Sequence, residues 1–145
     1  MASGSRTGVR QVTGPAVLFV TAGILHFLIP AFFDRIVPPW LPGWLPGPRA
    51  LVHISGLAEL AGGIGLLFPA TRRLAAWGLL ALLVAVFPAN VFMLMDARAH
   101  GVSAIYEAGL WIRLPLQPLL MWWVWRSAGR RVRRPGEQQE LARGR

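Results

Sequence analysis

Residues Gly14 to Phe33 read GPAVLFVTAGILHFLIPAFF, an apolar block in which His26 is the single ionisable side chain. A helix of that length spans about 30 Å at 1.5 Å per residue, the thickness of a bilayer's hydrocarbon core. A secretory leader would end in small residues before a cleavage point. Phe32, Phe33 and Asp34 stand there instead, so the block reads as a retained helix.

The same pattern returns three times further along the chain. Apolar blocks run from Ala50 to Pro69, from Leu74 to Met95 and from Ala108 to Trp125. They are separated by the tight polar turn ATRR (Ala70 to Arg73) and a mixed loop from Asp96 to Glu107. Between the first two blocks lies DRIVPPWLPGWLPGPR (Asp34 to Arg49), whose five prolines forbid a regular helix. It is too apolar for a free linker, and Trp40 and Trp44 mark it as a lid resting at a membrane interface. The expected fold is therefore all-α: an integral membrane four-helix bundle, with helices at about 14–33, 50–69, 74–95 and 108–125 and a Pro/Trp-rich interfacial loop after the first. Residues 1–13 are expected as a cytoplasmic N-terminal segment and 126–145 as a basic, disordered cytoplasmic tail.

Composition agrees. The 145 residues are 54% hydrophobic and 14% charged, with a mean hydropathy of +0.49. A soluble domain is about one quarter charged, so this chain lacks the polar side chains to clothe a globule. The net charge of +9 comes with 15 arginines and no lysine, seven of them after Trp125. A short basic tail behind the last apolar block is placed to touch anionic lipid rather than to read phosphates from a folded face, so nucleic acid is not an expected partner. There are no cysteines, which excludes thiolate metal sites and thiol relays. Arginine as the sole strong base, beside abundant Ala, Gly, Leu and Pro, has the look of a GC-rich bacterial genome.

Orientation follows from arginine placement. With the N-terminus inside, the cytoplasmic segments hold Arg6, Arg10, Arg72, Arg73 and the seven of the tail, against Arg35, Arg49 and Arg98 outside. The positive-inside rule then places both termini in the cytoplasm, and the chain in the bacterial inner membrane.

An ionisable group within a membrane helix costs about 2.5–3.5 kcal/mol on insertion scales and so has a partner or a task. Glu59 lies roughly 14 Å and Arg113 roughly 8 Å from the outer ends of their blocks at 1.5 Å per residue, and the two are expected to form a buried ion pair. Gly56 and Gly63, at i−3 and i+4 from Glu59, offer a face that another backbone can approach closely. Gln117 shares a face with Arg113, while Pro115 and Pro118 free the carbonyls of Trp111 and Leu114. His26 and Asn90 fall at similar depth. His26, Asn90 and Gln117, with Trp40 and Trp44 above them, are the candidate pocket residues, and the inner half of the bundle is almost without polar side chains.

Blander roles exist for each: a register lock for Glu59 and Arg113, a hydrogen-bonded packing role for His26, a patch for the backbone gap at Pro88 in the case of Asn90. Five polar groups on four helices would be a lavish way to fix register alone. No metal is expected, because the bundle holds one carboxylate and no E-x-x-H spacing. Bis-histidine haem would need His53, which lies six residues from Glu59, about 600° at 100° per residue, and points off the polar face. A small lipophile carrying carbonyls, such as a quinone, suits a half-apolar pocket with Arg, Gln, Asn and His donors. No catalytic residue can be assigned.

The stretches AGILHFLIPAFFDRIVPPWLP, LVHISGLAELAGGIGLLFPATRRLAAWGL, VFPANVFM and WIRLPLQPLL resemble the DoxX-like membrane proteins, and they cover most of the chain from Ala22 to Leu120. That resemblance implies a four-helix membrane bundle. It also implies an accessory or quinone-handling subunit of a membrane redox system, working with a membrane or periplasmic-side redox partner; a proton-coupled transporter of only four helices would need to be a homo-oligomer. The alternative is a non-enzymatic scaffold, chaperone or small-lipophile binding or transport protein. Relatives that work through thiols are excluded as models, since this chain has none.

Overall fold

The computed structural model describes residues 4–128. Among them there are helices and no strands: α1 (Gly4–Leu28), α2 (Pro30–Asp34), α3 (Pro48–Leu67), α4 (Arg72–Ala99) and α5 (Ala104–Ala128). The four long helices run up, down, up and down. Contacts are richest between α1 and α3, follow between α3 and α4 and between α4 and α5, and are sparse between α5 and α1.

Local chemistry sets the boundaries. The helix expected over 14–33 starts earlier, at Gly4, and stops at Leu28, because Pro30 lacks an amide hydrogen and opens the separate helix α2 as its first residue. The chain breaks at Ile29 (φ −129°, ψ 50°), so Phe32 and Phe33 belong to a segment that bends away from α1. The loop after α2 is closed at its base by Arg49, whose Nε and Nη2 both donate to Asp34 Oδ2 at 2.8 and 2.6 Å. The expected loop from Asp96 to Glu107 is mostly helical. His100 lies 3.3 Å from Asp96 one turn back, and Arg98, 3.3 Å from Glu107, ties the end of α4 to the start of α5. The actual turn is short and centres on Gly101 at φ +64°, with the Val102 amide donating to the Ala97 carbonyl in the manner of a Schellman cap. At the other end of the bundle Thr71 Oγ1 donates to the Gly65 carbonyl and Arg72 Nε to the Leu66 carbonyl, both at 2.9 Å, satisfying the carbonyls that end α3. The part of the expected tail from 129 to 145 lies outside the described residues.

The interior is divided. Near the Thr71 end, Ala16 and Phe19 of α1, Leu66 of α3, Ala76, Leu79 and Leu83 of α4 and Val124 of α5 form one buried cluster drawn from all four long helices. Near the opposite end the buried cluster is Leu94, Ala97 and Leu110, from α4 and α5 alone. Small residues set the spacing between α1 and α3. A Cβ added to Gly23 would fall 2.7 Å from the Gly56 carbonyl oxygen, and one added to Gly63 would fall 2.9 Å from that of Ala16, so two backbones meet there as they do in glycine-mediated helix pairs.

The exterior is apolar. Val17 and Leu28 on α1, Ile54 and Leu57 on α3, Leu74, Val84 and Met95 on α4, and Ile112, Leu119 and Trp125 on α5 are all more than half exposed. An apolar exterior on this scale exceeds the single patches of a water-soluble monomer. α3 and α4 are each long and apolar enough to cross a membrane, while the apolar part of α1, Val12–Leu28, is shorter. Length, composition and surface together point to membrane association.

Candidate functional site

His26 sits two residues before the end of α1 and is carried against α3 by the Gly23–Gly56 approach. A Cβ on Gly56 would lie 2.6 Å from His26 Cβ, so the absence of a side chain there makes room for the imidazole. His26 Nδ1 is 3.1 Å from Glu59 Oε2, with the two side chains 11% and 15% exposed. The same nitrogen lies 2.8 Å from the Ala22 carbonyl, one turn back. The one nitrogen thus stands between two acceptors, the Ala22 carbonyl and the buried Glu59 Oε2, and the carboxylate oxygen has the ring as its ion-pair neighbour but makes no well-formed hydrogen bond. A carboxylate oxygen in that position can still accept a donor.

The ion pair expected between Glu59 and Arg113 does not form. α3 and α5 stand diagonally across the bundle, each flanked by α1 and α4, so His26 on the adjacent helix reaches Glu59 first. Arg113 is exposed and makes no hydrogen bond or ion pair with the described residues.

The second polar pair joins α4 to α5. Asn90 Nδ2 donates to Gln117 Oε1 at 2.5 Å, and Gln117 Nε2 donates to the Leu83 carbonyl. Both side chains are buried. Asn90 thus serves Gln117 and does not patch the backbone at Pro88. This chain of amides lies at the border of the four-helix cluster, where Leu83 is a member.

Trp40 and Trp44 do not cover these groups. They are 61% and 81% exposed, because the turns in which Leu41 N donates to the Pro38 carbonyl and Leu45 N to the Pro42 carbonyl carry them outward, while Ile36 and Pro38 face in. The aromatic cover over His26 is Phe33, stacked on the imidazole with ring centroids 3.9 Å apart and planes 18° apart. Sequence reasoning missed it because Phe33 was counted as part of the first span. Its signal was Pro30, which turns the following residues away from the α1 axis and lets Phe33 fold over His26.

What the fold and this cluster define is an all-helical protein with an apolar exterior, two helices suited to crossing a membrane, and two polar pairs within it. Residues 16–128 match a family described as a domain of unknown function (DUF8561), and the chain belongs to that family. No curated protein and no solved structure matches it.

Proposed function

We propose that the chain is a multi-pass protein of the DoxX-like type in the bacterial inner membrane, crossing it four times with both termini cytoplasmic, and that it acts as an accessory, quinone-handling subunit of a membrane redox system. The large apolar side chains facing outward on α1 and α5, and not only on α3 and α4, support four crossings. The arginine bias supports the orientation. The Thr71 end is then cytoplasmic, and the His26–Glu59 pair lies toward the outer leaflet.

The observation that carries the ligand class is the buried Glu59 Oε2, which stands 3.1 Å from His26 Nδ1 without a well-formed hydrogen bond. A hydroquinone hydroxyl would supply the donor that this oxygen lacks. The stacked His26–Phe33 pair would offer a flat face to a ring, and the apolar helices would accommodate a prenyl tail. The Asn90–Gln117 amides would close the floor. The test is to purify the chain in nanodiscs from native membrane and identify extracted small molecules by mass spectrometry. A quinone near one per chain, lost in a folded Glu59→Gln variant, is expected. Phospholipid as the sole lipophile would overturn the reading.

A second reading, a non-enzymatic scaffold or lipophile carrier, is favoured by one observation. The Asn90–Gln117–Leu83 chain is satisfied within the protein, as a register lock would be. Under that reading a His26→Leu/Glu59→Leu double variant keeps its partner protein and its cellular role.

A further inference from the structure

The fourth seam of the bundle, between α1 and α5, is closed at one end only. Near the Thr71 end the two helices touch: a Cβ on Gly14 would lie 2.5 Å from the Trp123 ring. Leu18, Thr21 and Leu25 follow within about 40° of the Gly14 direction at 100° per residue, so they form the stripe of α1 that faces α5. They are nevertheless exposed, Leu18 at 41% and Leu25 at 38%. On α5 the side toward α4 is marked by Trp111, whose ring lies 5.9 Å from the Arg98 guanidinium, and the side toward α1 by Trp123. Leu116 lies within about 20° of the Trp123 direction, and Arg113 lies between Trp123, about 80° away, and Gln117, about 40° away, which bonds Asn90 of α4. Leu116 and Arg113 are both exposed. The seam therefore opens toward the outer half as an apolar groove walled by Leu18, Leu25 and Leu116, with an unpaired cation at its edge.

Four other arginines of the helical region have an evident task. Arg49 holds Asp34, Arg72 caps α3, Arg98 pairs with Glu107 and Arg126 lies over the Trp122 ring at 4.8 Å. Arg113 is six residues below Glu107 on α5, roughly 9 Å at 1.5 Å per residue. A long guanidinium side chain extending along the helix covers most of that distance, and a phosphate reaching down covers the rest.

We propose that the α1–α5 groove is a built site for an anionic phospholipid of the outer leaflet, with its phosphate on Arg113 and one acyl chain lying between Leu18, Leu25 and Leu116. Charge complementarity selects this occupant. The groove offers one full positive charge with no counter-ion among the described residues, and a guanidinium binds phosphate oxygens through two parallel N–H donors. A second copy of the chain would have to bring its own anion, and the acidic side chains on the outer faces of the helical region, Asp34, Asp96 and Glu107, are each already engaged. The site depends on the membrane reading above but not on the quinone.

The test uses the full chain in nanodiscs of equal phosphatidylglycerol and phosphatidylcholine, released gently for native mass spectrometry. One phosphatidylglycerol retained per chain is expected. Arg113→Leu should lower that retention about tenfold, Arg113→Lys should keep most of it, and Arg126→Leu should leave it unchanged, with circular dichroism and melting used to confirm that each variant is folded. Equal retention by the wild type and Arg113→Leu would overturn the proposal. So would efficient disulfide formation between copies carrying Leu25→Cys together with loss of the lipid, which would make the seam a dimer interface. Extraction of the wild type from membranes by alkaline carbonate would instead overturn the membrane reading itself, so the two failures are distinguishable.

Discussion

Replacing Gly23 with alanine adds one methyl group at the point where α1 and α3 touch. That methyl would sit 2.7 Å from the Gly56 carbonyl oxygen, 2.8 Å from Leu60 Cγ and 3.0 Å from the Leu60 amide nitrogen. Ordinary contact begins at 3.4 Å, so the carbonyl is too close by about 0.7 Å, and two of the three obstacles are backbone that cannot rotate aside. The helices must separate or slide, and overpacking of this kind costs about 1–3 kcal/mol. Gly78 on α4 provides the internal control, since a Cβ there meets nothing within 4 Å and alanine should gain up to about 1 kcal/mol of helix propensity. Gly23→Ala carries the same propensity gain, so the clash alone separates the two variants. Gly78→Ala should be the more stable by about 1–3 kcal/mol. Tryptophan fluorescence during unfolding in mixed micelles, by titration with a denaturing detergent, reads the difference. A Gly23→Ala protein as stable as Gly78→Ala would refute the close backbone approach, and with it the placement of His26 against Glu59.

Three further outcomes follow from the same geometry. Asn90→Leu leaves the buried Gln117 carbonyl oxygen without its donor and should cost about 1–3 kcal/mol; the Asn90→Leu/Gln117→Leu double variant should cost less than the two single losses combined, read in the same unfolding assay. Arg72→Ala removes a donor to the Leu66 carbonyl at the end of α3 and should cost about 1 kcal/mol, with hydrogen exchange rising in the last turn of α3 and not at its start. Asp34→Asn should lower stability by less than about 1 kcal/mol, because Arg49 is 54% exposed in that pair and solvent screens it; a larger loss would mean that the loop clamp governs the bundle.

Much of the architecture is legible in the sequence because its causes are local. Long apolar runs broken by ATRR and by a proline-rich stretch give the helices and their order. Gly56 and Gly63, standing a turn on either side of Glu59, announce a face for close approach, and α1 occupies it. The partner of Glu59 was not legible, because it depends on which helices are neighbours and which are diagonal. Depth along each block placed Glu59 and Arg113 at comparable heights but carried no information about the bundle's circuit. The same limit applies to Asn90: Pro88 is two residues away in sequence, whereas Gln117, to which it bonds, is 27 residues on. The tryptophans misled for another reason. An aromatic side chain at an interface can turn inward as a cover or outward as an anchor, and only the turns around Pro38 and Pro42 decide between them.

The central claim, a chain that crosses the membrane with its loops on opposite sides, is tested most directly by cysteine accessibility, for which a chain without native cysteine is well suited. Single cysteines at Gly43, Ala70 and Ser103 would be challenged in spheroplasts with a maleimide that does not cross membranes. The account predicts labelling at Gly43 and Ser103 in intact spheroplasts, and at Ala70 only after permeabilisation. Labelling of Ala70 from outside, or of Gly43 and Ser103 from opposite sides, would contradict it.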